Sequence, residues 1–153
     1  MRQGWNYFQS LSSRERWLFL QALGLLPLFH WGIRSLGLAQ SCQWLARWSV
    51  SARSSAQQDM TSVMIQQSEQ VLYWASHYGL QAGNCLSQSL TLCWLLRRQG
   101  IPTELRIGVR RQAGKFEAHA WLEYNGQPIK EVATVRQQYA AFPTELFAAL
   151  SRQ

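Results

Sequence analysis

Apolar positions recur at helical spacing up to Arg98 and alternate with polar ones from Thr103 onward. Leu11-Ser12-Ser13-Arg14-Glu15-Arg16 offers Ser12 or Ser13 as a helix cap. Glu15 stands three residues after Ser12, the spacing of a capping box, so a helix is expected to start there. The most apolar stretch follows, Trp17 to Ile33, interrupted by Gln21, Pro27 and His30 and closed by Arg34. A membrane helix needs roughly 18 to 20 unbroken apolar residues, so this run predicts a kinked, buried helix pair; an interfacial or partner-binding apolar face is the other reading. Leu36, Leu38, Trp44, Leu45 and Trp48 continue the helical period. Ser49 to Gln58, rich in Ser and Gln, is the best linker.

A second helical stretch covers roughly residues 59–78. Met64, Val71, Leu72 and Ala75 form its stripe, helped by Val63 and Trp74, and Gly79 is a natural stop. Asn84 is placed to cap a further helix, in which Leu86, Leu90, Cys93, Trp94 and Leu96 are spaced for burial. Arg97 and Arg98 suit the negative end of its dipole, and Gly100 ends it. Thr103 to Arg110 alternates as a strand with one buried face. Gln112-Ala113-Gly114 turns it into a second strand, Phe116 to Tyr124, and Asn125-Gly126 is a strong hairpin signal. A third strand is expected from Gln127 to Thr134, and a short amphipathic helix from Pro143 to Leu150. Helices followed by a small antiparallel sheet make an α+β chain.

Composition narrows the classes. The 153 residues are 47% hydrophobic, enough for a core, but only 15% charged, so Gln, Ser and Asn must supply much of the polar surface. The net charge is +7 with one aspartate, Asp59, which favours an anionic partner. The basic residues are scattered, with Arg97-Arg98 and Arg110-Arg111 as doublets, and no dense run of the nucleic-acid kind appears. Nucleic acid is therefore not expected. Three cysteines, Cys42, Cys85 and Cys93, form neither a disulfide framework nor a zinc pattern. A reducing compartment, the cytoplasm, fits them. Trp5, Tyr7 and Phe8 precede any apolar run and no small-residue cleavage site follows, so no signal peptide is expected.

Candidate chemistry lies between Asn84 and Glu131. A cysteine at a helix N-terminus meets the positive end of the dipole and free backbone N–H groups, both of which favour thiolate over thiol. The same N–H groups can hold an oxyanion after attack, so the placement of Cys85 suits acyl transfer. A histidine within reach can share the thiol proton and later protonate a leaving amine. His119 sits mid-strand between Ala118 and Ala120, which should leave space around the imidazole, whereas His30 and His77 lie in helical stretches and read as structural. Cys93, among Leu92, Trp94 and Leu95, reads as a buried structural cysteine. Cys42 has no chemistry around it. The third member is a question of register. A two-residue loop at Asn125-Gly126 sets His119 opposite Val132 and turns Glu131 to the other face. A three-residue loop, Tyr124-Asn125-Gly126, sets His119 opposite Glu131 and Trp121 opposite Ile129. A triad with Glu131 requires the second. Glu123 shares the face of His119 but lies further along the strand, and it is the alternative orienter.

The run Cys85-Leu86-x-x-Ser89-Leu90-x-Leu92-x-x-Leu95-Leu96-Arg97-Arg98-x-Gly100-Ile101-Pro102-x-x-Leu105-x-Ile107-Gly108-Val109, then Phe116-x-Ala118-His119-Ala120-Trp121-Leu122-Glu123-x-x-Gly126, resembles the transglutaminase-like leader peptidases of lasso-peptide biosynthesis. Ala22-Leu23-Gly24-Leu25-Leu26-Pro27-Leu28 resembles that family's N-terminal helical region. The resemblance implies a papain/transglutaminase-like core, with the helix carrying Cys85 packed on a small antiparallel sheet carrying His119. With the linker, it gives an apolar helical arm, 1–58, and a peptidase core, 59–153. It implies a Cys-His-Asp order, with Glu131 where the family usually has Asp; the extra methylene changes the reach. The backbone N–H of Cys85 and the side chains of Asn84 and Gln81 are the candidate oxyanion donors. Implied partners are a leader-core precursor peptide, a separate leader-recognition protein and an ATP-dependent cyclase related to asparagine synthetases; the apolar arm adds a weak association with a membrane surface. No metal or organic cofactor is required. Two rival readings use the same residues: a transamidase working through the same thioester, and an inactive scaffold that carries a peptide to the cyclase.

Overall fold

The computed structural model describes residues 9, 11–48, 58–78, 84–130 and 134–142. The linker at 49–57, Gly79, Gln81, Glu131 and the tail from Pro143 to Leu150 lie outside the described residues, as does the side chain of Cys42. Among the described residues the architecture is α+β, four helices and a four-stranded antiparallel sheet.

The first helix, α1 (Ser13–Trp48), starts at the expected capping box. Glu15 Oε2 accepts from the Ser12 N–H at 2.9 Å and from its hydroxyl at 2.6 Å. These bonds hold the Glu15 carboxyl below its ordinary pKa. Two features of the expected kinked, buried pair are corrected. The helix runs through Pro27, and the break falls at Gly37 (φ 83, ψ 171), a conformation open to glycine. Burial is also one-sided: Leu18, Phe19, Ala22, Leu26 and Phe29 are buried, while Trp17, Leu20, Leu28 and Trp31 are exposed. The second group, spaced three, eight and three residues apart, returns to the same side of the helix and forms one outer stripe. No helix among the described residues is long and apolar enough to cross a membrane.

The second helix, α2 (Gln58–Tyr78), buries Val71, Leu72 and Ala75. Val63, placed beside that stripe by sequence, is exposed. The third, α3 (Cys85–Arg98), is central and packs on α1, α2 and the sheet. Leu90, Cys93, Leu95 and Leu96 are fully buried, and Leu92 nearly so. Each large apolar side chain taken out of water in this way contributes about 1.5–3 kcal/mol. The helix stops at Gly100 (φ 82), where the Ile101 N–H turns back to the Leu96 carbonyl at 3.0 Å. Leu18, Phe19 and Leu26 of α1 belong to the same core as Leu72 and Leu96.

The sheet has the order β3-β2-β1-β4, with β1 (Glu104–Gln112), β2 (Lys115–Tyr124), β3 (Gln127–Ile129) and β4 (Ala140–Ala141). Two-residue turns join the first three strands. Ala113 and Gly114 have φ 50 and 81, Asn125 and Gly126 φ 48 and 74, the pattern of type I′ turns. Tyr124 therefore pairs with Gln127 and Leu122 with Ile129. The three-residue loop, which would have paired Trp121 with Ile129 and His119 with Glu131, is not adopted. The asparagine-glycine pair matches the strand twist with two residues and needs no bulge. The third strand also ends early, at Ile129, and Lys130 takes φ 67. Beyond the expected end at Thr134 come a one-turn helix, α4 (Val135–Gln138), and β4, which pairs antiparallel with β1 through Gly108↔Ala141.

Candidate active site

Cys85 is the first residue of α3. The Asn84 carboxamide oxygen accepts the Ser87 N–H at 2.9 Å, and the Asn84 carbonyl accepts that of Gln88 at 3.0 Å. The backbone N–H groups of Cys85 and Leu86 have no acceptor inside the helix, as the first turn of any helix requires. Cys85 is half-exposed at the end of the helix that carries those donors and the dipole's positive end. Asn84 has its oxygen committed to the cap, which leaves its amide nitrogen as the group able to face an oxyanion.

One cleft is lined by both Cys85 and His119, with Gln88, Ser89, Trp121 and Lys130 around them. It lies along the edge of β2 beyond the end of β3. The cleft depends on a seam between α3 and β2. Ser89, one turn below Cys85 on the same face, donates its hydroxyl to the Ala120 carbonyl at 3.0 Å, in buried surroundings. That bond fixes α3, the helix that begins at Cys85, against the residue next to His119. At the rim, Lys130 Nζ donates to Gln88 Oε1 at 2.9 Å. Half-burial raises the pKa of Glu69 on α2, against the charge and backbone N–H of Lys130.

Strand alternation settles what surrounds the imidazole. Leu122 and Tyr124 turn to the helices, so His119, Trp121 and Glu123 share the outer face of the sheet. Ala118 and Ala120 are thus not what surrounds the imidazole. It meets the Trp121 ring at 6.2 Å between centroids and the Tyr139 ring at 5.2 Å. Period-two reading would have found Trp121. Tyr139 stands between α4 and β4, a segment that gave no recognisable signal.

Glu123 is 2% exposed and fully engaged. Its carboxylate accepts from Trp121 Nε1 at 3.0 Å, Arg106 Nε at 3.1 Å and Arg136 Nε at 2.7 Å. Burial opposes its ionisation, but the hydrogen bonds from Arg136, Trp121 and Arg106 and the charge of Arg136 prevail, lowering its pKa to about 2. Four residues of strand, about 13 Å, separate it from His119. Glu123 is a structural anchor and cannot orient the imidazole directly. His30 and His77 do not line the cleft; His77 stacks on Tyr73. Cys93 is fully buried; burial raises its pKa against the charge of Arg97 and a hydrogen bond from Thr103. No group of three His, Cys, Asp or Glu among the described residues is placed to hold a metal ion.

The profile of the transglutaminase-like superfamily matches residues 23–144. The chain belongs to that superfamily. The match begins within α1 and takes in the cleft, the sheet and the segment carrying Tyr139. No curated protein and no solved structure matches the chain. Membership in the transglutaminase-like superfamily fits the use of a cysteine for acyl transfer, to water or to an amine.

Proposed function

We propose that this transglutaminase-like protein is a cysteine endopeptidase that removes the leader from a ribosomally made lasso-peptide precursor. The observation that carries the reading is the single cleft bordered by Cys85, at the tip of α3, and by His119. His119 stands on the sheet face turned from α3, so it approaches the sulfur around the strand edge that β3 leaves open. It takes the thiol proton. The thiolate attacks the scissile carbonyl, and the N–H of Cys85 donates to the resulting oxyanion. The imidazolium protonates the departing amine of the core peptide, leaving the leader as a thioester on Cys85. Water, deprotonated by His119, then hydrolyses that thioester. The two-residue turn removes the strand pairing that would have set Glu131 opposite His119, but β3 ends at Ile129, so Glu131 is kept as the proposed orienter from the segment after the strand, with Asn84 and Gln81 as further oxyanion donors. No metal or cofactor enters the reaction.

The papain-like arrangement, the division into an arm (1–58) and a core (59–153), and a cytoplasmic setting belong to the same proposal. So do the partners: the precursor, a separate leader-recognition protein and an ATP-dependent cyclase. The outer stripe of Trp17, Leu20, Leu28 and Trp31 supports a surface that a partner covers, with weak membrane association as the alternative use. The test is incubation with the precursor and the recognition protein, read by intact mass. Cleavage at the leader-core junction is expected from the wild type and from neither Cys85→Ala nor His119→Ala. A leader mass increased by an added amine would identify a transamidase. Processing by Cys85→Ala would reject the mechanism.

A further inference from the structure

Gly108 of β1 pairs with His119 of β2, and it has no room for a side chain. A Cβ there would lie 2.9 Å from the Tyr139 Cβ, 3.1 Å from the Ala140 carbonyl oxygen and 3.1 Å from the outer edge of the Trp121 ring. The space opposite His119 is thus occupied by Tyr139. Three attachments keep it there. β4 pairs with β1, and the Phe142 N–H donates to the Ile107 carbonyl at 2.8 Å. The Arg110 guanidinium lies over the Tyr139 ring, 4.7 Å from its centroid. Arg136, three residues before Tyr139, is clamped on Glu123, the carboxylate that also holds the Trp121 indole. One buried anchor therefore serves both rings that touch the imidazole, and those rings touch each other with centroids 6.3 Å apart.

We propose that Tyr139 is a positioning residue for His119: with Trp121 it forms an aromatic clamp that holds the imidazole at the cleft and favours the imidazolium formed when Cys85 gives up its proton. This rests on the reading of Cys85 and His119 as a working pair. The physical basis is twofold. A ring packed against the imidazole removes conformations that carry it from the cleft. The negative face of an aromatic ring also attracts a cation, by about 0.5–1 kcal/mol per contact at a partly exposed site. The tyrosine hydroxyl has no part in either effect, so phenylalanine should serve as well.

The test uses iodoacetamide on the full-length protein at neutral pH, with the rate at Cys85 followed by peptide mass. Tyr139→Leu should slow alkylation about five-fold, the factor corresponding to about 1 kcal/mol for one cation–π contact. Tyr139→Phe should react as the wild type does. Gly108→Ala, which drives a methyl group into Tyr139, should slow the reaction as Tyr139→Leu does, and it serves as the second probe if Tyr139→Leu does not fold. In a His119→Ala background, Tyr139→Leu should have no further effect, whereas a merely structural role would slow both backgrounds alike. An unchanged or faster rate in Tyr139→Leu, a rate in Tyr139→Phe as low as in Tyr139→Leu, or equal slowing with and without His119 overturns the proposal. If His119→Ala alone leaves the rate unchanged, the working pair itself is refuted, a failure distinct from that of the clamp.

Discussion

Cys85 and Cys93 stand on one helix, eight residues and about 12 Å apart, yet their surroundings share almost nothing. Cys85 begins α3, half-exposed, beside backbone N–H groups that have no acceptor within the helix and on the border of a cleft. Cys93 is fully buried among core leucines, and its thiol accepts the Thr103 hydroxyl at 3.3 Å. At the tip, the N–H groups lack intrahelical acceptors and meet the positive end of the dipole; in the middle, every N–H is spent on the helix and burial disfavours charge. A difference in reactivity is therefore expected from position along the helix alone. The two thiols form an internal control, because any change in overall folding reaches both.

The sharpest way to break this comparison is to label both thiols in the native protein. At neutral pH, Cys85 should react with iodoacetamide at least about 100-fold faster than Cys93, since thiolate character and access both favour it. In denaturant the ratio should collapse toward one. Comparable native rates would mean that the helix tip confers nothing.

A second prediction sharpens the comparison from the sheet side. Glu123 fixes Trp121 and, through Arg136, the segment bearing Tyr139, so the outer wall near the tip hangs on one carboxylate. Glu123→Gln should cost about 1–3 kcal/mol, the range for buried hydrogen-bonding groups left without their partner. It should reach the labelling of Cys85 before that of Cys93. In the wild type, against the opposing effect of burial, the hydrogen bonds from Arg136, Trp121 and Arg106 hold the folded carboxyl at about 2, below the ordinary 4.5. The unfolded chain therefore binds this proton first as pH falls. The stabilisation is complete above about 4.5 and is lost as pH drops toward 2. Denaturation midpoints at pH 6 and pH 3 should differ less in Glu123→Gln than in the wild type; equal differences would remove Glu123 as the anchor.

The same contrast explains what was legible in the sequence. The tip of α3 was legible because capping is local: Asn84 reaches Ser87, three residues away. The core position of Cys93 was legible from helical period alone. Both hairpin turns were placed correctly, but the second register was open, because the sequence permits two loop lengths and only the assembled strands choose. Tyr139 was invisible because nothing near it announces that a two-residue strand will pair with β1 opposite His119. Glu123 looked like a candidate orienter for the complementary reason. Its face was readable, but Arg106 and Arg136, which commit it elsewhere, lie 17 and 13 residues away.

The smallest effect belongs to the buried thiol. Cys93→Ala removes one fully buried sulfur from a packed site, and the loss should resemble that of one methylene plus its cavity, about 1 kcal/mol. The Thr103 hydroxyl also loses its acceptor, which keeps the cost from vanishing. Neither change reaches the cleft, since Cys93 does not line it. A denaturation curve should show the lower midpoint, while Cys85 of the same variant should alkylate at the wild-type rate. Cys85→Ala should give the reverse pattern, unchanged stability and no labelling at the tip. If Cys93→Ala slowed Cys85, the two thiols would be coupled through the helix, and the division between a reactive tip and an inert middle would fail.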